Sequence, residues 1–156
     1  MAVPKIARIF AASNKQTITN KKAIMSNLVL GVMIQSLGGN AETVAALKSA
    51  LGKTIKTVKL EDNNLVFNFT DGTGLEMFDY VECSENRYMV TDDDLSEYKN
   101  SKLLDFELKT APNVPGYGDH EIRFLEVKTD KGVFVMANHN EHNGHYGGFL
   151  PVARLF

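Results

Sequence analysis

The residues best suited to chemistry lie in one stretch near the end of the chain, Asn138–Phe149. It contains three of the four histidines of the chain, together with three asparagines, one glutamate and three glycines. Imidazole, carboxylate and amide groups can bind metal ions, transfer protons or form hydrogen bonds with a polar ligand. Because an apolar run flanks this stretch on each side, we predict a polar connection between two strands, a common position for functional residues.

A metal site is one interpretation of this stretch. His139, His142 and His145, with Glu141, are ligand types that zinc, manganese or iron accept. Their spacing differs from the helical H-E-x-x-H motif, in which two imidazoles project from one helical face. We therefore favour histidines that form hydrogen bonds with the loop backbone, and we predict no metal and no cofactor.

Catalysis has less support from the residue types. Cys83 could act as a thiol nucleophile with a histidine as its base, but a lone cysteine is more often a small apolar filler. The acidic run Asp92–Asp94 is better explained as the cap of a short helix than as a cation site. No glycine-rich phosphate loop precedes a predicted helix. We predict no catalytic residue and no enzyme activity.

Nucleotide binding fits the residue types better. Arg87, Arg123 and Arg154 are three of the four arginines and lie in or beside the polar segments. A guanidinium binds phosphate oxygens through two parallel hydrogen bonds, and aromatic rings can stack on a base. The alternative for each aromatic residue is core packing. The alternative for Arg154 is an exposed edge position or an ion pair with the C-terminal carboxylate.

Composition limits the class of protein. A chain of 156 residues with 44% hydrophobic and 23% charged residues is typical of one soluble globular domain. The formal net charge of −2 argues against binding to duplex nucleic acid. The single cysteine suits a reducing cytoplasm, and the apolar runs are too short or too interrupted to cross a membrane.

The spacing of apolar residues predicts an α+β fold in a single domain. Residues 1–17 are expected to form an arm, and the helices Thr19–Leu37 and Ala41–Leu51 an αα-hairpin. The first helix is apolar almost all round, so we expect it to contact another subunit. Residues 1–52 are thus predicted as the helical part. Residues 53–156 are predicted as an antiparallel sheet of the same domain that carries the ligand site.

After Gly52 the apolar period changes to two residues, which is typical of strands. Turns are predicted at Asp62–Asn64, Asp71–Gly72 and Asp130–Gly132. The segment Cys83–Asp94 is predicted to be polar and irregular. The predicted strands are Ile55–Leu60, Leu65–Thr70, Gly74–Tyr80, Leu103–Leu108, Glu121–Thr129, Val133–Asn138 and Phe149–Phe156.

Three segments resemble a known protein family: Arg87–Leu95, His120–Gly132 and Asn138–Phe149. Their pattern, RYM-TDDDL, then H-E-FL-TdKG, then HNEHNGYYGGF, is similar to that of the Thoeris anti-defence family of phage "sponge" proteins. The resemblance covers roughly Cys83–Phe156, about half of the chain. The sequence departs from the pattern at His145, where the family has a tyrosine.

The resemblance implies a phage protein that binds a cyclic ADP-ribose isomer and withholds this immune signal without cleaving it. Some family members also take up cyclic oligonucleotides. It implies a homo-oligomer, either a dimer or a dimer-based hexamer, in the cytoplasm of an infected bacterial host cell. Two alternatives remain open: a metal-dependent nucleotide-processing enzyme that uses His139 and His142, and a protein-binding inhibitor.

Residue types and resemblance together select one set of ligand-binding candidates. These residues supply guanidinium, amide, imidazole, hydroxyl and aromatic groups within or next to the three segments. The set consists of Arg87, Tyr88, Thr91, Arg123, Asn138, Asn140, His142, Tyr146, Phe149 and Arg154.

Overall fold

The computed structural model describes residues 40–81, 84–110, 120–144, 149 and 151–156. These residues form eight strands, one α-helix and one short 3-10 helix, Leu95–Tyr98. The elements are α1 (Ala41–Ala50), β1 (Ile55–Glu61), β2 (Asn64–Phe69), β3 (Gly74–Asp79), β4 (Glu85–Val90), β5 (Leu103–Thr110), β6 (His120–Thr129), β7 (Gly132–His142) and β8 (Pro151–Leu155).

The strands form two antiparallel sheets of four strands each. The order is β1-β2-β3-β8 in the first sheet and β4-β7-β6-β5 in the second. The hydrophobic core joins their inner faces. The ring of Phe67 on β2 lies 5.9 Å from that of Phe106 and 6.3 Å from that of Phe134, both in the second sheet. Alternating apolar residues therefore bury one face of each sheet against the other.

The residues of the hairpin turns set the register of neighbouring strands. Asp62 and Asn63 have φ angles of 48° and 63°, the left-handed conformation that a two-residue hairpin turn requires and that Asn and Asp tolerate. Gly72, with a φ of 87°, serves the same purpose between β2 and β3. Thr129 pairs with Gly132 across the β6–β7 turn. The three predicted turns are confirmed.

The two edge strands of the first sheet, β1 and β8, are each bonded to another segment, β1 at Ile55 and β8 at Ala153. At the start of β1, the Ile55 N–H donates to the Ser101 carbonyl at 2.8 Å, and the Asn100 N–H donates to the Ile55 carbonyl at 2.7 Å. These bonds join the first sheet to the chain just before β5. On β8, the Ala153 N–H donates to Thr43 Oγ1 of α1 at 3.1 Å. At these two residues the edge strands have fewer free backbone groups to offer another chain.

The prediction of an α+β fold is wrong. The described residues are mainly β, with two packed antiparallel sheets and one ten-residue α-helix, and they contain no helical hairpin. Of the two predicted helices, the second lies within the described residues and is present as Ala41–Ala50. The arm 1–17 and the predicted helix Thr19–Leu37 lie outside the described residues. Two sheets form because each presents an apolar face that must be buried against a partner.

The segment Cys83–Asp94 is a second correction. It was predicted to be irregular, but Glu85–Val90 forms β4 and pairs along its length with β7. The same pairing extends β7 to His142, so the first five of the twelve residues of the predicted polar connection are strand. The acidic run does cap a helix as predicted, because the Asp94 side chain accepts from the Ser96 N–H at 3.0 Å.

Within the described ranges, no helix is both long and apolar enough to cross a membrane. The described α-helix, α1, has ten residues. A transmembrane helix needs about 20 predominantly apolar residues.

Candidate functional site

Polar residues collect where β4 and β6 begin and β7 ends, at one end of the second sheet. We call this region the polar rim and define it by the seven residues that line an open pocket of about 630 Å³. Ligand pockets typically measure about 300–1,000 Å³, so this one has room for a nucleoside. The lining residues are Ser84, Glu85, Asn86, His120, Glu141, His142 and Asn143.

The alternation of β7 divides the polar motif between two faces of the sheet. Asn138 and Asn140 are buried on the inner face, and the side chain of His142 on the same face is only 8% exposed. His139 and Glu141 lie on the outer face. The motif therefore contributes to two groups of side chains. We call the group that faces the interior the inner layer and the group that faces the surface the outer layer.

Arg87 is the centre of the inner layer. Its Nε and Nη2 donate to the two oxygens of Glu85 at 2.8 and 2.7 Å, and its Nη1 donates to Asp79 Oδ2 at 2.9 Å. The side chains of Arg87, Glu85 and Asp79 are 2%, 0% and 8% exposed. The guanidinium thus forms a bidentate pair with one carboxylate and a single bond with another.

These ion pairs determine the charge state of Arg87. Burial alone would lower its pKa, but the hydrogen bonds with Glu85 and Asp79 outweigh burial and raise it above the usual value. The positive charge is therefore permanent and is neutralised inside the protein. A buried arginine that already holds two carboxylates is a structural residue, so a phosphate would have to displace them.

The outer layer is a connected group of rings and carboxylate. His120 Nε2 lies 2.9 Å from His139 Nδ1, a hydrogen bond in which one of the two nitrogens carries the proton. The His139 ring stacks on Tyr88, with 4.6 Å between centroids and 5° between planes. The Tyr88 hydroxyl and the Asn86 amide donate to the two oxygens of Glu141 at 3.0 and 3.2 Å.

The pKa values of the outer layer follow from these contacts. Burial and the neighbouring His120 lower the pKa of His139 from its usual 6.5, so this imidazole resists protonation. Hydrogen bonds from Asn86 and Tyr88 lower the pKa of Glu141, which stays ionised. Burial, together with the bond to Glu141, raises the pKa of Tyr88, which keeps its hydroxyl proton. Near neutral pH the layer therefore combines a carboxylate, a phenol and a neutral His139 ring.

We expect the free energy of unfolding to decrease as the pH falls below 6.5. The unfolded chain takes up a proton on His139 near the usual 6.5, whereas the folded chain takes it up at lower pH. The unfolded state then binds more protons in this window, so acid favours it. Urea denaturation of wild type and His139→Asn between pH 7.5 and about 5 measures the effect. An equal dependence in the variant would show that His139 does not cause it.

Two other candidates on β7 have structural contacts. His142 Nδ1 accepts from the Gly144 N–H at 3.0 Å, so its neutral tautomer carries the proton on Nε2, 3.5 Å from Glu121 Oε2. The Asn138 amide donates to the carbonyls of Arg123 and Met136 at 3.3 and 3.4 Å. The expected hydrogen bonding of the histidines to the loop backbone is thus confirmed at His142.

Arg123 and Phe149 are brought together. The Arg123 guanidinium lies 4.9 Å from the centre of the Phe149 ring, a cation–π contact. Its Nε is buried and finds no hydrogen-bond partner among the described residues. Both side chains line a cavity of about 20 Å³ between the sheets, which is room for one water molecule.

Thr91 and Arg154 lie apart from the rim. Thr91 Oγ1 donates to the Val135 carbonyl at 2.8 Å and holds the chain after β4 against β7. Arg154 lies on the outer face of the first sheet, exposed, with its guanidinium 4.7 Å from the centre of the Phe78 ring. Within one chain it does not meet Arg87 or Arg123, which face the core of the second sheet. Tyr146 lies outside the described residues.

Sequence reasoning missed part of the outer layer. His120 and Asn86 were not among the candidates, and Glu141 entered only as a possible metal ligand. His120 lies diagonally across from His139, because its direct partner on β7 is Glu141. The sequence feature that could have identified His120 is the polar first residue of β6. It becomes informative only when β6 is aligned with β7, the strand that carries the motif.

The described residues contain no group of three or more His, Cys, Asp or Glu side chains arranged to hold a metal ion. His120 and His139 contact each other, while His142 faces Glu121 on the other side of the sheet. His139 and His142 of the motif thus lie on different faces of the sheet.

The fold and site define a small antiparallel β-sandwich with a polar pocket at one end of its second sheet. The model of a domain of unknown function, DUF7448, matches residues 48–150, well over half of the chain. The chain therefore belongs to the DUF7448 family. Neither the curated proteins nor the solved structures include a match to it.

Proposed function

We propose that the protein binds a cyclic nucleotide immune signal, a cyclic ADP-ribose isomer, and sequesters it without cleavage. One observation carries the proposal. The first of the three segments that resemble the phage sponges is separated from the other two by the whole of β5, yet the three contain parts of β4, β6 and β7, which are adjacent in the order β4-β7-β6. Residues that come together in this way can act on one ligand.

The chemistry of the rim supports this proposal. A cyclic ADP-ribose isomer presents an adenine ring and two riboses with hydroxyl groups. The partly buried Tyr88–His139 stack lies next to the rim through the Tyr88–Glu141 bond, and Glu141, Asn86 and Asn143 of the rim offer polar groups. Pockets that bind nucleotides combine such rings with a few well-placed polar groups.

The proposal also covers the oligomeric state of the protein and the cell in which it acts. By resemblance to the sponge family, the protein acts as a dimer or dimer-based hexamer in the cytoplasm of an infected bacterial cell. Some members of that family also take up cyclic oligonucleotides, which makes these a second ligand to test. Light scattering of the free and ligand-bound protein measures the number of subunits.

Recovery of the ligand tests sequestration. We expect protein that has been incubated with cyclic ADP-ribose isomers, washed and then denatured by heat to release the intact molecule, identified by its mass. The physical reason is that a binding protein lowers only the free concentration of the ligand. An enzyme would release a product of different mass, and a protein-binding inhibitor would release nothing.

Two variants test whether the ligand binds at the polar rim. Glu141→Gln removes the charge at the rim and should reduce the recovered ligand, whereas Glu42→Gln removes an exposed carboxylate on α1 and should not. Recovery of product, or equal recovery from both variants, would contradict the proposal as applied to this pocket. A melting curve of each variant confirms that it is folded.

A further inference from the structure

We propose that the polar rim binds the nucleoside part of the ligand, its ribose and base, and that the phosphates lie away from this pocket. This inference rests on the proposed function and specifies which part of the ligand the described site recognises. Three observations carry it: the charge of the rim, the acceptor capacity of Glu141, and the partly buried aromatic stack beside the rim that Glu141 contacts through Tyr88.

The charge of the rim opposes phosphate. Glu85 and Glu141 line the pocket, and no lysine or arginine does so among the described residues. The nearest guanidinium, that of Arg87, is held by Glu85 and Asp79. Glu85 is neutralised by Arg87, so the ionised Glu141 is the group that places negative charge on the described pocket wall. A pyrophosphate would add like charges at short range, which costs free energy in a partly desolvated site.

Glu141 instead suits a pair of hydroxyl groups. Each of its oxygens already accepts one hydrogen bond, from Tyr88 or Asn86, and these bonds fix the orientation of the carboxylate. A carboxylate has about four acceptor positions, so two remain for new donors. Adjacent ribose hydroxyls are such donors, and a carboxylate that binds ribose hydroxyls is a recurrent solution in nucleotide sites.

The aromatic stack provides a position for the base. Tyr88 and His139 are direct cross-strand partners whose rings are parallel within 5°. One face of the Tyr88 ring contacts His139, and the residue is partly exposed, which leaves part of it accessible to a ligand. Because the Tyr88 hydroxyl bonds to Glu141, the stacking surface and the hydroxyl-binding group are held at a fixed distance. Stacking of a base on an aromatic ring contributes about 1–3 kcal/mol.

Titration calorimetry with two probes tests this division of the ligand. Adenosine carries the ribose and the base without phosphate, and inorganic pyrophosphate carries the charge without either. We expect adenosine to bind the wild-type protein and to compete with a cyclic ADP-ribose isomer. Pyrophosphate at the same concentration should do neither. Raising the salt concentration should not weaken adenosine binding, because adenosine is uncharged.

Variants assign the effect to the rim. Glu141→Gln and Tyr88→Leu should each weaken adenosine binding at least tenfold, while Glu42→Gln should leave it unchanged. Each variant must keep the melting temperature of the wild type within a few degrees. If a variant fails this criterion, the milder Tyr88→Phe, which keeps the ring and removes only the hydroxyl bond to Glu141, replaces it.

The outcomes separate this inference from the proposed function. If the cyclic nucleotide binds and pyrophosphate competes while adenosine does not, the inference is overturned and the proposed function stands. If adenosine binds through Glu141 but no cyclic nucleotide does, a nucleoside site stands and the proposed function fails. If neither adenosine nor the cyclic nucleotide binds, both are overturned.

Discussion

Replacing Arg87 by methionine is expected to lower the free energy of unfolding by about 3–5 kcal/mol. Methionine keeps an apolar stem but leaves the buried carboxylates of Glu85 and Asp79 without their guanidinium. An ionised group without a partner in the interior costs far more than an exposed one, because water no longer screens it. Urea denaturation at pH 7 measures the change as a shift of the midpoint.

Arg154→Met is the matched control. Arg154 is exposed and stacks on Phe78, so its loss should change the free energy of unfolding by about 1 kcal/mol or less. A similar small effect for Arg87→Met would contradict the structural role of Arg87. If Arg87→Met remained stable and lost ligand binding instead, Arg87 would be a ligand contact, as its sequence context suggests.

Replacing Phe67 by alanine should also cost about 3–5 kcal/mol of folding stability. Phe67 is fully buried on β2, and its ring contacts Phe69 in its own sheet and Phe106 and Phe134 in the other. Truncation removes the contacts across the sheets and leaves a cavity that rigid strands fill poorly. Denaturation in urea measures the loss.

Val66→Ala provides the comparison for this variant. Val66 is the neighbour of Phe67 on β2, points to the opposite face and is only partly buried. Its truncation should cost about 1 kcal/mol or less. Comparable losses at both positions would contradict the packing of the two sheets, because in a single sheet both faces of β2 would be equally open.

Local structure in the described region was predictable from residues that are close in the chain. The alternation of Leu65, Phe67 and Phe69 and the turn residues Asp71 and Gly72 identify strands and hairpins without any tertiary information. Asn40 likewise caps α1, because its side chain accepts from the Thr43 N–H at 3.1 Å. Each feature depends on backbone geometry and hydrogen bonds over a few residues.

Strand β4 was not predictable in the same way. Its inner positions are Glu85, Arg87 and Met89, and two charged residues interrupt the expected apolar alternation. In the folded chain Asp79, from the neighbouring sheet, joins Glu85 in neutralising Arg87. A hydrophobicity pattern cannot reveal a buried charged residue whose charge is neutralised by another segment of the chain.

The sequence by itself determined the hairpin turns and the strands of the described region other than β4, and it indicated which residue types could bind a nucleotide. Only the tertiary structure decided that the strands divide into two sheets and that His120 joins His139 and Tyr88 at the surface. It also decided that Arg87 is neutralised in the core. Alternation and turn chemistry are local, whereas sheet partners and charge pairs join residues that only the folded chain brings together.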